Sequence, residues 1–269
     1  MNCFYQQIVK KLLLQQNLKG ELLKMKFNKL FTAVLVIMAV VMLSTGVMAQ
    51  KYIVGTNATF PPFESVEDGE IVGFDIDLVK EIAKLKGFEV EFRDVSFDSL
   101  IPGLASGSFD IVAAGMTATE ERKKVVAFSD PYYSANQSVL VHEDSDADLT
   151  VLFGDSDIGV QTGTTGDTWV RERLMEKDIM TGDIRNYDSY VFAIKDLANK
   201  NIDAAVLDKP VAETYSKNNP VEIVAELITG EEYGIAVSKG NTELLKDINE
   251  GLEELRENGT MDELIEKYF

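Results

Sequence analysis

Leu104-Ala-Ser-Gly-Ser-Phe-Asp110 returns as Leu197-Ala-Asn-Lys-Asn-Ile-Asp203, 93 positions later, with three identities in seven and no gap. Each copy closes a helical pattern and leads into a buried apolar run. In the first copy Ser99–Ser106 reads as a helix and Phe109-Asp-Ile-Val-Ala-Ala-Gly115 as a strand; in the second the run is Asp203-Ala-Ala-Val-Leu-Asp208. Short continuous apolar runs bounded by turn residues mark strands covered on both faces, as in parallel sheets. The same offset places Phe97 against Tyr190 and the strand end Gly115 against Asp208. A strand–helix–strand order that repeats in register predicts two similar α/β lobes. In such open sheets ligands sit in the crevice beyond the carboxyl ends of the strands.

The rest of the body extends this pattern. Lys51-Tyr-Ile-Val-Gly55 reads as a strand, Asp77–Lys86 as a helix stopped by Gly87, and Phe88-Glu-Val-Glu-Phe92 alternates as a strand does. No Gly/Ser/Pro-rich linker divides the halves. Asn136–Val141 is expected to cross from lobe one to lobe two and Glu226–Tyr233 to return, which makes a two-strand hinge. The tail Asn241–Phe269 carries an amphipathic helical pattern with breaks expected at Gly251 and Gly259. The domains then read as 1–49 for a leader (1–24 an upstream extension if Met25 is the start), 50–135 with 234–269 for lobe one, and 136–233 for lobe two.

Lys26-Phe-Asn-Lys29, the apolar Leu30–Leu43 and Ser44-Thr-Gly-Val-Met-Ala49 have the order of a secretory signal, with cleavage expected before Gln50. The competing reading is an uncleaved anchor, since Leu30–Ala49 has no charged residue. Of 269 residues 45% are hydrophobic and 26% charged, which excludes a disordered or many-span membrane chain. The formal charge is −19. Setting aside the six lysines and one glutamate of residues 1–50 leaves 20 basic and 44 acidic residues, a body of −24. So acidic a surface repels nucleic acid and anionic membranes and favours solubility. The only cysteine is Cys3 and the only histidine is His142, in an apolar strand pattern. Disulfides, Cys-ligated metal, multi-His zinc and Ser–His–Asp chemistry therefore lack parts in the body. Asp75-Ile-Asp77 has no further acids at calcium-loop spacing and reads as a helix start.

Gly115-Met-Thr117-Ala-Thr119-Glu-Glu-Arg122 is the sharpest constellation. A strand ends at Gly115, Thr119 caps a helix, and Thr117, the capped helix start and the Arg122 fork can face one anion. The alternative is that Arg122 pairs with Glu120 or Glu121 on a solvated face. The matching end in lobe two is Asp208-Lys-Pro210, where a carboxylate can meet an ammonium group or merely cap the next helix. An anion site on one lobe opposite a cation site on the other complements an amino-acid zwitterion. Gln161-Thr-Gly-Thr164-Thr165 follows a strand and opens a helix; it lacks the ending of a P-loop, so nucleotide binding is a poor reading. Asn57-Ala-Thr-Phe60-Pro-Pro-Phe63 leaves the first strand by a rigid turn, and Phe60 and Phe97 can either sandwich a ligand side chain or belong to the core.

These residues resemble the periplasmic polar amino-acid-binding proteins of ABC importers, the family of glutamine-, arginine- and lysine/arginine/ornithine-binding proteins. The resemblance spans about residues 51–269. It is carried by Pro61-Pro-Phe-Glu64, Gly73-Phe-Asp-Ile-Asp-Leu78, Phe97-Asp-Ser-Leu-Ile-Pro102, Gly115–Arg122 and Phe128-Ser-Asp-Pro-Tyr-Tyr133, and by Gly163-Thr-Thr165, Tyr233-Gly-Ile-Ala-Val237 and Asn258-Gly-Thr-Met-Asp262. It implies an α/β, type II periplasmic-binding-protein clamshell with two lobes and two hinge strands, closing on one free L-amino acid. By motif, Arg122, Thr117 and the Thr164–Thr165 amides would bind the α-carboxylate, and Asp208 with the Gly115 carbonyl the α-ammonium. Phe60 and Phe97 would flank the ligand side chain, with Asn57 and Gln161 at its end. Many relatives have Asp or Glu at position 57, and an amide cannot neutralise a cation. Gln161–Thr165 nevertheless looks like the basic-amino-acid binders, so arginine or lysine is expected first and glutamine second.

The resemblance further implies a monomer that delivers its ligand to an ABC permease outside the cytoplasm, without cofactor, metal or catalytic residue. Two rivals share the scaffold. A periplasmic prephenate or arogenate dehydratase needs a cleft acid, for which Glu64 is the nearest candidate unless it faces solvent. A membrane-tethered amino-acid sensor needs the leader to remain.

Overall fold

The computed structural model describes residues 50–269 together with Lys10, Lys11, Lys19, Glu21, Lys24 and Met25. The leader's apolar run, its expected cleavage site and Cys3 lie outside the described residues. In the body, two five-stranded sheets follow one plan. The first runs in the order β5 (Glu89–Asp94), β1 (Lys51–Thr56), β6 (Ile111–Val112), β13 (Ala236–Ser238), β7 (Val126–Phe128). The second runs β10 (Ile184–Tyr187), β9 (Ile158–Gln161), β11 (Ala204–Asp208), β8 (Tyr133–His142), β12 (Val221–Tyr233). In each sheet the first three strands are parallel, and the fourth and fifth are antiparallel to their neighbours.

Helices complete the repeat read in the sequence. Lobe one is built β1–α1–β5–α2–β6, with α1 at Phe74–Lys86 and α2 at Leu100–Ala105. Lobe two is built β9–α4–β10–α5–β11, with α4 at Thr165–Val170 and α5 at Tyr190–Ala198. The short α3 (Glu120–Lys123) follows β6, and α6 (Lys209–Ser216) follows β11. A small antiparallel sheet of β2 (Thr59–Phe60), β3 (Glu64–Glu67) and β4 (Glu70–Val72) fills the turn between β1 and α1. The fourth strand of each sheet arrives with the crossing chain: β8 enters lobe two after β7, and β13 returns to lobe one after β12. Consequently β8 and β12 pair along nearly their whole length, from Val221↔His142 to Tyr233↔Tyr133.

Local chemistry explains the elements. Helix α1 has Asp75 and Asp77 in its first turn and Lys84 and Lys86 in its last, matching the helix dipole. It buries Phe74, Leu78, Val79 and Ile82 on one stripe and ends where left-handed Gly87 donates to the Ala83 carbonyl. Two readings of the sequence are corrected. Of Phe109–Gly115 only Ile111–Val112 is strand, and the chain turns away at Gly115, whose φ is +50°. Gly251 does not break the tail helix: α7 (Thr242–Glu257) runs through it, and α8 (Thr260–Tyr268) follows left-handed Gly259. A Cβ at Gly251 would lie 2.8 Å from the Ile82 side chain, so glycine there lets α1 and α7 approach closely.

One buried cluster passes without interruption from Phe63 and Phe60 of lobe one to Tyr190, Ile194 and Leu207 of lobe two. Separate clusters fill the outer parts of each lobe, around Leu100, Phe109 and Met116 in the first and Val139, Val160 and Val206 in the second. Core apolar residues thus line the seam where the strand ends of the two sheets meet.

Candidate functional site

Gly115 is where lobe one turns into the seam. Its φ is +50°, and a Cβ would stand 2.6 Å from the Phe60 ring, so only glycine fits. Its N–H donates to Asp75 Oδ2 at 2.8 Å, and Tyr132 donates its hydroxyl to the same oxygen at 2.6 Å. That leaves the Gly115 carbonyl outside this network. Burial pushes the Asp75 carboxyl up to about 7.

Two residues later the chain reaches Thr117, then the capped helix α3. Thr119 Oγ1 accepts the Arg122 N–H at 3.2 Å, as the sequence led us to expect. The alternative of a solvated ion pair for Arg122 is excluded. Glu120 pairs with Lys123 at 2.9 Å and Glu121 with Lys124, while Arg122 has no ion-pair partner among the described residues. Its guanidinium instead donates to the Thr117 carbonyl at 2.8 Å and, across the seam, to the Gly163 carbonyl at 3.0 Å. Its carbon stands 5.2 Å from the Phe97 ring centroid, a cation–π distance. Burial lowers the guanidinium from its ordinary value, and Glu231 and then Asp208 pull it back up.

Asp208 holds the corresponding place in lobe two. It precedes α6, but its side chain makes no capping bond. The carboxylate instead accepts the Tyr233 hydroxyl at 2.6 Å, from the far end of β12. Only 3% of the residue is exposed. Burial first, and the neighbouring Glu231 second, push this carboxyl up to about 7. A cation entering beside it would restore the charge.

The remaining expected residues divide. Thr164 caps α4, accepting the Asp167 N–H at 3.2 Å, and Thr165 opens that helix. Gln161 and Asn57 bond directly across the seam, Nε2 to Oδ1 at 2.8 Å, and the Asn57 amide also donates to the Val95 carbonyl at 2.8 Å. Phe60 packs on Tyr190, with centroids 5.9 Å apart, whereas Phe97 faces Arg122. The two rings therefore meet different partners and do not stack on each other. Thr117, Arg122, Thr164 and Thr165 line a cavity of about 700 Å³ between the lobes, and Phe97 with Arg122 lines a smaller one of about 280 Å³. Glu64, the expected cleft acid unless it faces solvent, is fully buried, with neither carboxylate oxygen bonded among the described residues. Burial raises it well above the usual carboxylate range. Asp75-Ile-Asp77 lies in α1, with Asp77 paired to Lys267 at 2.7 Å, and the described residues hold no group of acids, His or Cys suited to a metal.

The sequence reading missed Glu231, Tyr233 and Tyr190. Glu231 is 7% exposed and accepts hydroxyls from Thr117 at 2.5 Å and Thr165 at 2.6 Å. Its signal was present only as an acidic residue on the expected return crossing, where a solvated position reads equally well. Tyr190 was noted only as the register partner of Phe97, and its role as the wall facing Phe60 depends on tertiary contact.

Known proteins resemble this chain in sequence and in fold. The probable histidine-binding protein of Neisseria gonorrhoeae is 40% identical over 227 residues, which cover 81% of this chain and 82% of that one. The arginine-binding extracellular protein ArtP of Bacillus subtilis (strain 168) is 37% identical over 223 residues, 82% of this chain and 86% of the other. Among solved structures, an ancestral arginine-binding protein bound to arginine superposes with a TM-score of 0.77 and 46% identity, covering 82% of this chain and 99% of that one. Residues 52–269 match the bacterial extracellular solute-binding proteins, family 3, and the chain belongs to that family.

Proposed function

We propose that the chain captures one L-amino acid with a cationic side chain, arginine or lysine in type, outside the cytoplasm and hands it to an ABC permease. One observation carries the reading. Arg122 on lobe one has no ion-pair partner among the described residues, and Asp208 on lobe two leaves its helix uncapped, so each offers a charge to the same seam. An α-carboxylate on Arg122, Thr117 and the Thr164–Thr165 amides, and an α-ammonium on Asp208 and the Gly115 carbonyl, would join the lobes through the ligand. Binding energy then depends on closure, because only the closed form supplies both partners. Buried charges are tolerable here because each meets a hydrogen-bonded counter-charge.

The preference for a basic ligand rests on charge. The seam carries Asp208 and Glu231 against Arg122, one negative charge in excess, and a zwitterion with a cationic side chain cancels it. Arginine-binding relatives point the same way. Asn57 and Gln161, engaged with each other, would contact the side chain through polar groups, with Phe60 and Phe97 at its flanks.

Thermal-shift titration with the common amino acids, ornithine and citrulline tests the reading, since ligand-linked stabilisation ranks affinities. Arginine, lysine or ornithine is expected to lead, with citrulline, the neutral isostere of arginine, far behind. Equal stabilisation by citrulline or glutamine would overturn the charge preference. Loss of prephenate absorbance on incubation with the protein would favour the dehydratase instead.

A further inference from the structure

Strand β12 is irregular where it re-enters lobe one. Leu227 pairs with Gln137 and Glu231 with Ala135, so the step between them is four residues on β12 against two on β8. The intervening Ile228-Thr229-Gly230, facing Asn136 alone, bulge out with Gly230 at φ +62°. Asn136 on β8 pins the bulge: its Oδ1 accepts the N–H groups of Thr229 at 3.1 Å and Gly230 at 2.9 Å. A bulge re-aims the side chain that follows it, and here that side chain is Glu231.

The Glu231 carboxylate accepts four bonds. Oε1 takes Gln137 Nε2 at 2.9 Å and the Thr229 hydroxyl at 3.1 Å, both from the paired crossing strands. Oε2 takes the Thr117 hydroxyl of lobe one and the Thr165 hydroxyl of lobe two. The backbone around Thr117 is tied to the same end of β12, through Ala118 N–H to the Glu232 carbonyl at 2.9 Å. Gln137 also donates Nε2 to the Thr165 hydroxyl at 3.3 Å. Glu231 therefore sits on the hinge crossing, held there through Oε1, and its Oε2 takes both hydroxyls only when Thr117 of lobe one and Thr165 of lobe two are brought together.

We propose that Glu231 is the closure latch of the cleft, a positioning residue whose single carboxylate oxygen joins a hydroxyl from each lobe. It stabilises the closed form without touching the ligand and holds Thr117 and Thr165 in place for it. An ionised carboxylate suits this position because it is an acceptor only and all four groups around it donate. The inference rests on the reading of the seam as a closing amino-acid site, but its first test needs no ligand.

Small-angle scattering of the ligand-free protein reads closure directly. Glu231→Ala is expected to enlarge the radius of gyration of the ligand-free form, and saturating arginine to restore the wild-type value. Arginine affinity is expected to fall about tenfold to a hundredfold, the worth of a hydrogen bond to a charged group. Thr165→Val, which keeps the shape and removes one hydroxyl, is expected to produce the same two effects, smaller, and to add little in the Glu231→Ala background. A residue that only stabilises the fold would lower the melting temperature and leave the ligand-free dimensions unchanged. Unchanged scattering with affinity within twofold of wild type in both variants would overturn the latch. If wild-type protein bound no amino acid while Glu231→Ala still expanded it, the latch would stand and the ligand assignment would fall.

Discussion

Strands β6 and β11 occupy the same place in their sheets, third in order and parallel to the second strand, β1 or β9. Beyond them the two lobes diverge. β6 runs on through Gly115 to Thr117 and Arg122, a neutral turn and a cation; β11 ends at once on Asp208, an anion. Each charge is kept from local neutralisation by a nearby residue that does the expected job in its stead. Lys123 and Lys124 take the glutamates beside Arg122, and Tyr233 takes the Asp208 carboxylate away from its helix. A repeated scaffold thus presents two equivalent strand ends, and a change of residue at each would make them, in the reading proposed above, the two halves of a zwitterion site.

Removing either half is expected to have the largest effect. Arg122→Ala or Asp208→Asn should weaken arginine binding about a thousandfold by calorimetry, because the ligand charge left behind is buried without a partner. Equal loss in both variants would sharpen the comparison, and loss in only one would break it.

Acid separates the halves next. The Asp208 carboxyl, pushed up to about 7, must be ionised to meet an ammonium, so protons compete with the ligand at lobe two alone. Arginine affinity should therefore fall about tenfold between pH 8 and pH 6, with the fall abolished in Asp208→Asn. The ligand-free protein should behave in the opposite sense. Asp75 and Asp208 bind protons more tightly folded than unfolded, so stability is greatest with both protonated and is lost as pH rises from the unfolded values near 4 through about 7. Its melting temperature should then rise on acidification from pH 8 to about 5.5, a shift that saturating arginine blunts.

Gly115→Ala tests the geometry of lobe one. A Cβ there meets the Phe60 ring in a left-handed backbone, and a loss of about 2 kcal/mol is expected in denaturant unfolding. Smallest of all, Lys84→Ala removes an exposed ion pair with Glu81 on α1 and should change neither binding nor melting temperature measurably.

Much of this was legible in the chain. The repeat Leu104–Asp110 and Leu197–Asp203 marks equivalent helix–strand junctions, and β-rich runs alternating with helical ones point to the right class. Arg122 and Asp208 stood out because a cap, a strand end and a charge fell together in a few residues. What stayed hidden was nonlocal. Gly251 looks like a helix breaker until Ile82 of α1 is seen against it. Glu64 reads as a cleft acid or a solvent-facing one until the fold buries it completely. Glu231 is one glutamate of an adjacent pair, and only the bulge opposite Asn136 determines that it, and not Glu232, turns inward. Phe60 and Phe97 read as one pair of walls, and the fold gives each its own neighbour, Tyr190 across the seam for Phe60 and Arg122 of the same lobe for Phe97.

Blocking each end of the ligand in turn tests the central claim most directly. Arginine, arginine amide and Nα-acetylarginine would be titrated into the wild-type protein by calorimetry, each keeping the same cationic side chain. Arginine is expected to bind tightly, with both blocked forms weaker by about a hundredfold or more, since each leaves Arg122 or Asp208 without its counter-charge. Binding of either blocked form within a few-fold of arginine would contradict a site built from one charge on each lobe.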